Sequence, residues 1–291
     1  MRADSATAHV DSGVGVNEDV ATVTNGAAWV LDGATGLGGE SHTPGATDAT
    51  WYVGRVDCYL REHVHDDVPL ETVLRRCVQS VAAEFHELAG DVDPANEPSA
   101  AVAVARWRED SDAVEYAVLG DASVVFRFPS GDVETVHGHG PREHDAAAVA
   151  ELGRLKREEG LSHEDAFEAL LPRLREIRAV KNTPEGYWVL SLDPDATDQA
   201  TTGTVEGVTG ANLFTDGVEP LVESYEVFGD WAEATSFLHE RGPAAAVEHL
   251  REFERADADC ETHPRFKQHD DAGIALVTFA DETVRPTDSA K

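Results

Sequence analysis

Residues 17–33 read NEDVATVTNGAAWVLDG, and the reading of this stretch decides the fold. Two short apolar runs, Val20–Val23 and Ala27–Leu31, flank Asn25-Gly26. Asn-Gly accepts the positive φ angles that a two-residue hairpin turn requires. Asn17-Glu18-Asp19 therefore opens one strand and Asp32-Gly33 closes the next. The hairpin sets both acidic ends at the same edge of an antiparallel sheet, so turn chemistry alone gives the first functional clue.

Further strands follow from apolar runs bounded by turn residues: Ala100–Trp107, Ala113–Leu119, Ser123–Phe128 and Val133–Val136, then Gly186–Leu192, Thr201–Thr209, Ala211–Thr215 and Ala272–Ala280. Val114, Tyr116 and Val118 alternate with smaller or polar neighbours, as half-buried antiparallel strands do. Helices are read over Thr47 to Val64 and along the stripe Leu70, Val73, Leu74, Cys77, Val78, Val81, Phe85 and Leu88, which keeps helical spacing for five turns. Others run from about Ala146 to Glu159, from Ser162, and over Val218–Ser224, Trp231–Leu238 and Pro243–Arg255. Ser162-x-x-Asp165 resembles a capping box, and Pro172 is expected to kink or break the stripe Phe167, Leu170, Leu171, Leu174, Ile177. No repeat or Ser/Pro linker divides the chain. The expectation is one α+β domain over 1–280, built on antiparallel sheet, with a flexible tail over 281–291.

Composition narrows the partners. The 291 residues hold 56 Asp+Glu against 23 Lys+Arg, a net charge of −33. Such a surface repels nucleic-acid phosphates and anionic lipid, so neither is expected as a partner. No apolar run reaches the length of a membrane span, and MRADSATAHVDSG has no apolar core to make a secretory leader. Only Lys156, Lys181, Lys267 and Lys291 are lysines. An acidic, Lys-poor chain suggests a high-salt cytoplasm, where ions screen self-repulsion. Cys58, Cys77 and Cys260 are odd in number and far apart, which fits a reducing cytosol rather than a disulfide framework. His137 and His139 in HGHG, with His144 nearby, read as a glycine-flanked turn rather than a metal site, because no further ligand lies at zinc spacing.

What rises above background is a set of acids where strands meet loops: Glu18-Asp19, Asp32-Gly33, Gly120-Asp121, Asp216-Gly217 and Asp270-Asp271. Carboxylates gathered in one place raise each other's pKa unless cations bind them. An all-oxygen donor set suits Mg²⁺ or Mn²⁺, with several waters retained. A bridging Asp can hold two such ions about 4 Å apart over a shared water.

In the order Asn17-Glu18-Asp19, Val30-Leu31-Asp32-Gly33, Pro98-Ser99-Ala100-Ala101-Val102, Leu119-Gly120-Asp121-Ala122-Ser123, Phe214-Thr215-Asp216-Gly217-Val218 and Asp270-Asp271, the chain resembles the type 2C metal-dependent protein phosphatases over roughly residues 7–280. The resemblance implies a sandwich of two antiparallel sheets flanked by helices. It implies a serine/threonine phosphatase, in cytoplasmic signalling, that uses two Mg²⁺ or Mn²⁺ ions and a hydroxide between them to attack phosphorus. Asp32 would bridge the ions, with the Gly33 carbonyl on one of them. Asp216 and Asp270 would complete the first site, Glu18 and Asp19 would hold metal-bound waters, and Asp121 would serve a third, weaker ion. The catalytic residues so implied are Asp32 and Asp216.

The departures bear on substrate binding. Val14 and Ala34 stand where members carry a phosphate-binding Arg and a His, and Gly273 stands where a Thr is common. Arg178 and Lys181 are candidate phosphate-binding cations with a surface role as the competing reading, and His42 is a candidate proton donor whose plainer reading is a solvated loop. The alternatives to a phosphoprotein phosphatase are a phosphatase of a small phosphorylated molecule and a catalytically silent phosphoprotein-binding member.

Overall fold

The computed structural model describes residues 1–280, so the tail expected over 281–291 lies outside the described residues. Ten strands form two five-stranded antiparallel sheets. One runs β2 (Asp19–Thr24), β3 (Ala27–Ala34), β4 (Ser99–Trp107), β5 (Ala113–Leu119) and β8 (Thr201–Glu206). The other runs β1 (Ala3–Asp11), β10 (Ala272–Phe279), β9 (Gly210–Phe214), β6 (Ser123–Arg127) and β7 (Val133–His137).

The period-two geometry of a strand explains why the central strands read as unbroken apolar runs. Along β3, Ala28 and Val30 point between the sheets, towards Val124, Phe126, Leu213 and Val277. Trp29 and Leu31 point the other way, into Tyr52, Val56 and Leu60 of α1 (Asp48–His63) and Leu74 and Phe85 of α2 (Leu70–Ala89). Along β10, Ile274 and Leu276 meet α5 (Pro220–Glu223), α6 (Trp231–Arg241) and α7 (Pro243–Ala256) through Leu221, Leu238 and Leu250. Both sheets are thus covered on both faces, which gives the four layers that the type 2C resemblance implied. Among the described residues no helix is long and apolar enough to cross a membrane.

A further hairpin, α3 (Arg142–Glu159) and α4 (His163–Ala179), leaves the sandwich after β7. It packs largely on itself through Ala148, Leu152, Ala166 and Leu170, and leans on the body through Tyr187, Val189 and Phe266. The Ser162 hydroxyl caps α4 by accepting from the Asp165 amide at 3.1 Å.

At three places the structure departs from these expectations or adds to them. Pro172 neither breaks nor ends α4, which continues to Ala179. The ring lies on the solvent side, where water can take the freed carbonyl of Glu168. Gly186–Leu192 is not a strand but an irregular segment with two isolated bridges, Lys181 to Tyr187 and Ala100 to Leu190. Tyr187 and Val189 are buried against α3 and α4, whereas Leu190 and Leu192 join the core under α1 and α2. Finally, β1 carries no alternating apolar signal, because most of its side chains on this sheet edge face water.

Candidate active site

The site is built at one end of the sandwich from both sheets. In the β2–β3 hairpin, Asp19 pairs directly across from Asp32, as the Asn25-Gly26 turn requires. The Gly33 amide donates to the Glu18 carbonyl at 3.1 Å. A Cβ at Gly33 would come within 2.6 Å of that same oxygen, so only glycine lets the two strand ends close this tightly. Glu18 is aimed by the Thr35 hydroxyl, which donates to its Oε1 at 2.6 Å.

The other sheet supplies Asp216 just after β9 and Asp270 just before β10. The two segments touch: a Cβ at Gly217 would lie 1.9 Å from the Asp271 carbonyl oxygen, and the Thr215 amide donates to the Gly273 carbonyl at 3.0 Å. Asp121 lies in the turn where the chain crosses from β5 in one sheet to β6 in the other. The HGHG segment serves this turn. Gly138 and Gly140 lie with their backbones against Gly120 and Asp121, where any Cβ would clash at 2.5 Å.

These elements enclose a cleft of about 310 Å³ whose lining includes Glu18, Asp32, Gly33, Asp121, Asp216 and Asp270. Two of the acids at strand ends lie behind it instead, Asp19 from the implied set and Asp271 from outside it. Asp19 is buried and accepts from the Thr215 hydroxyl at 2.7 Å. Asp271 accepts from the amides of Gly13 and Glu18, each at 2.8 Å, and so ties the β1–β2 turn to the entry of β10. Arg178 lines the cleft, whereas Lys181 is buried elsewhere with Nζ donating to the Glu97 carbonyl. His42 is held by Asp48 through its ring Nδ1 and its amide, away from the cleft. Val14 is exposed outside the lining, and Ala34 is part of it. Two lining residues had not been anticipated. Asp145 arrives on the first turn of α3, and Lys267 places Nζ 2.6 Å from Asp270 Oδ1.

The electrostatics of the cleft are those of crowded, buried carboxylates. Asp32 and Asp216 line the same cleft, and the Asp216 charge helps hold the Asp32 carboxyl up, a pairing of like charges that a proton or a cation relieves. Burial, then the neighbouring acids, raise Asp32 well above the usual carboxylate range. The same causes, in the same order, push Asp216 up to about 7 and Asp121 to about 6. Asp145 also rises to about 7, first through burial and then through Asp216. Among the described residues no three His, Cys, Asp or Glu side chains are gathered closely enough to enclose an ion unaided. The donors nevertheless fit Mg²⁺ or Mn²⁺, which keep much of their water and take the rest from separated carboxylates and carbonyls.

Raised carboxylate pKa values set the sign of a pH effect. The native state holds protons that the unfolded chain releases near pH 4, so this stability is present below that value and is lost as pH climbs to about 7. The metal-free protein should therefore melt several degrees lower at pH 8 than at pH 5, and saturating Mn²⁺ should remove most of that difference. Calorimetric melting curves with and without chelator measure both.

Behind Asp270 the chain spends a buried ion pair on position. Arg251 donates to Glu254 Oε2, Asp11 Oδ1 and the Asp270 carbonyl, at 2.8, 2.8 and 2.7 Å. Removing one partner strands the buried Glu254 carboxylate. Arg251→Ala should cost about 3 kcal/mol, read from denaturant unfolding at high salt.

The Protein phosphatase 2C family model matches residues 7–253. No curated protein sequence matches the chain. Among solved structures, the serine/threonine phosphatase PstP/Ppp of Mycobacterium tuberculosis aligns at a TM-score of 0.56 and 14% identity, over 95% of this chain and 99% of that one. The catalytic domain of PstP in complex with two manganese ions aligns at 0.54 and 16%, over 95% and 98%. Stp1 of Staphylococcus aureus aligns at 0.52 and 15%, over 97% and 96%. At these identities the structures establish the shared fold, and the family match, which covers most of the chain, establishes membership. The chain belongs to the protein phosphatase 2C family of phosphoric monoester hydrolases.

Proposed function

We propose that this protein removes phosphate from phosphoserine and phosphothreonine in proteins, using Mg²⁺ or Mn²⁺ bound at the carboxylate end of the cleft. The observation that carries the reading is the gathering of Asp32, Asp121, Asp216 and Asp270, from segments of both sheets, around one cleft where their charges call for a cation. The solved PstP catalytic domain with two manganese ions supports the choice of metal. Asp32 and the Gly33 carbonyl, with Asp216 and Asp270, would hold two ions; Glu18 and Asp19 would orient their waters, and Asp121 would serve a third, weaker one. Bound ions supply acidity to a shared water and neutralise charge on the phosphoryl oxygens.

The remaining work falls to side chains. Arg178 stands at the cleft and, among the described residues, pairs with no carboxylate within ion-pair distance. Its guanidinium, which donates only to the Ser99 hydroxyl at 3.3 Å among the described residues, could take two phosphate oxygens side by side, the task that Val14 cannot perform. Val14 and Ala34 change how phosphate is recognised without touching the acids. We also place residues 1–280 as one catalytic domain working in a high-salt cytoplasm.

The test is phosphatase activity in molar KCl with Mn²⁺, on a phosphothreonine peptide and a small aryl phosphate in parallel. Turnover of both that disappears with chelator is the expected result. Turnover of the aryl phosphate alone points to a small-molecule substrate, and metal binding without any turnover removes the catalytic reading.

A further inference from the structure

The cleft has a second end that metal chemistry does not use. Beside the acids it is walled by Leu37, Phe167, Leu174, Ile177 and Phe266. The helical stripe on α4 is divided in two by its surroundings. Leu170 and Ile177 are 2% and 5% exposed, whereas Phe167 and Leu174 are only half-buried. Phe167 meets Phe266 edge-on at 6.4 Å between ring centroids, so the wall is braced across from a different segment. Arg178 follows directly on Ile177 and lines the same cleft. An apolar wall that opens beside converging polar groups is the ordinary make-up of a recognition pocket.

The structure assigns this wall, chiefly Phe167, Leu174 and Phe266, as a subsite for a bulky apolar side chain next to the phosphorylated residue of a peptide substrate; the assignment rests on the phosphoprotein reading above. Three observations select that occupant. The apolar and carboxylate ends are continuous, so one ligand spans both. An extended peptide advances about 3.4 Å per residue, which brings a side chain one or two positions from the phosphate onto such a wall. Glu18, Asp145 and the surrounding acidic surface repel acidic flanking residues, which leaves apolar recognition as the means of discrimination.

The test compares two phosphothreonine peptides that differ only in Phe or Gly after the phosphoresidue, together with their non-hydrolysable phosphonate analogues. Binding of the analogues is measured by calorimetry with Mn²⁺ in molar KCl. The wild-type protein should bind the Phe analogue roughly 10-fold more tightly than the Gly analogue, the range that added apolar contact in a pocket provides. Phe167→Ala and Leu174→Ala, each checked for an unchanged circular dichroism spectrum, should bring the ratio close to one and leave the Gly analogue unaffected. Leu88→Ser, on the exposed side of α2, should keep the full ratio. Equal binding of both analogues by the wild-type protein overturns the subsite, as does a ratio that survives both wall substitutions. A loss of affinity for a small aryl phosphate as large as that for the Phe peptide also overturns it, because the wall would then serve an aryl leaving group. Hydrolysis of the parent peptides is scored separately. If the analogues are discriminated but no peptide is cleaved, the activity reading fails and the subsite stands.

Discussion

Asp32→Ala and Asp216→Ala should each lower phosphatase turnover by at least about 10³-fold while leaving the fold intact. Lewis-acid stabilisation by a bound ion is worth several kcal/mol, and each 1.36 kcal/mol is about tenfold in rate. The direction of the stability change makes the prediction sharp. Both carboxyls are pushed up by burial and then by neighbouring acids, Asp216 for Asp32 and Asp121 for Asp216, so without metal each is a liability above neutral pH. Either substitution should leave the metal-free protein as stable as the wild type, or more so, at pH 8. Steady-state kinetics and thermal melting of the same preparations decide it. A variant that loses its circular dichroism spectrum at high salt would make these acids structural, and one that retains turnover would remove them from the chemistry.

The second large effect is salt. A net charge of −33 on 291 residues repels itself in dilute buffer. The screening length grows from about 3 Å at 1 M to about 10 Å at 0.1 M ionic strength, so neighbouring surface acids that ignore each other in molar KCl begin to interact when it is diluted. A loss of 3–4 kcal/mol would lower the melting temperature by roughly 10 °C in a domain of this size. Melting in a KCl series at fixed Mn²⁺ measures it, and a flat series would mean that the acidity is not an adaptation to salt.

How much of this could be read in advance depends on how local the cause is. The β2–β3 hairpin was legible because Asn25-Gly26 fixes the turn and the turn fixes the pairing of Asp19 with Asp32. The α2 stripe was legible because one face is buried along five turns. β1 was hidden because an edge strand exposed to water carries no apolar alternation. Residues 186–192 misled because Tyr187 and Val189 are apolar for the sake of the α3–α4 hairpin rather than for a sheet. Within the cleft, the Asp-Gly pairs announced themselves through the glycines that close contact demands. Asp145 and Lys267 did not, since each reaches the cleft only through the path of a surrounding helix or loop. Lys267 did leave one trace, as a rare lysine three residues before Asp270.

The seam between the sheets has a consequence for how the protein comes into being. Asp32 and Asp216 belong to different sheets, and the bond from Thr215 to Asp19 joins positions 196 residues apart. Asp271 likewise takes the Glu18 amide across 253 residues. Neither half of the chain can assemble the carboxylate cluster alone, so a ribosome-bound or half-docked intermediate offers a cation no finished site. Such distant pairings form late, after the slow closure of long loops. If Mg²⁺ or Mn²⁺ binds there as proposed, its capture would report that the two sheets have met, and the free ion would stabilise only chains that have completed that step.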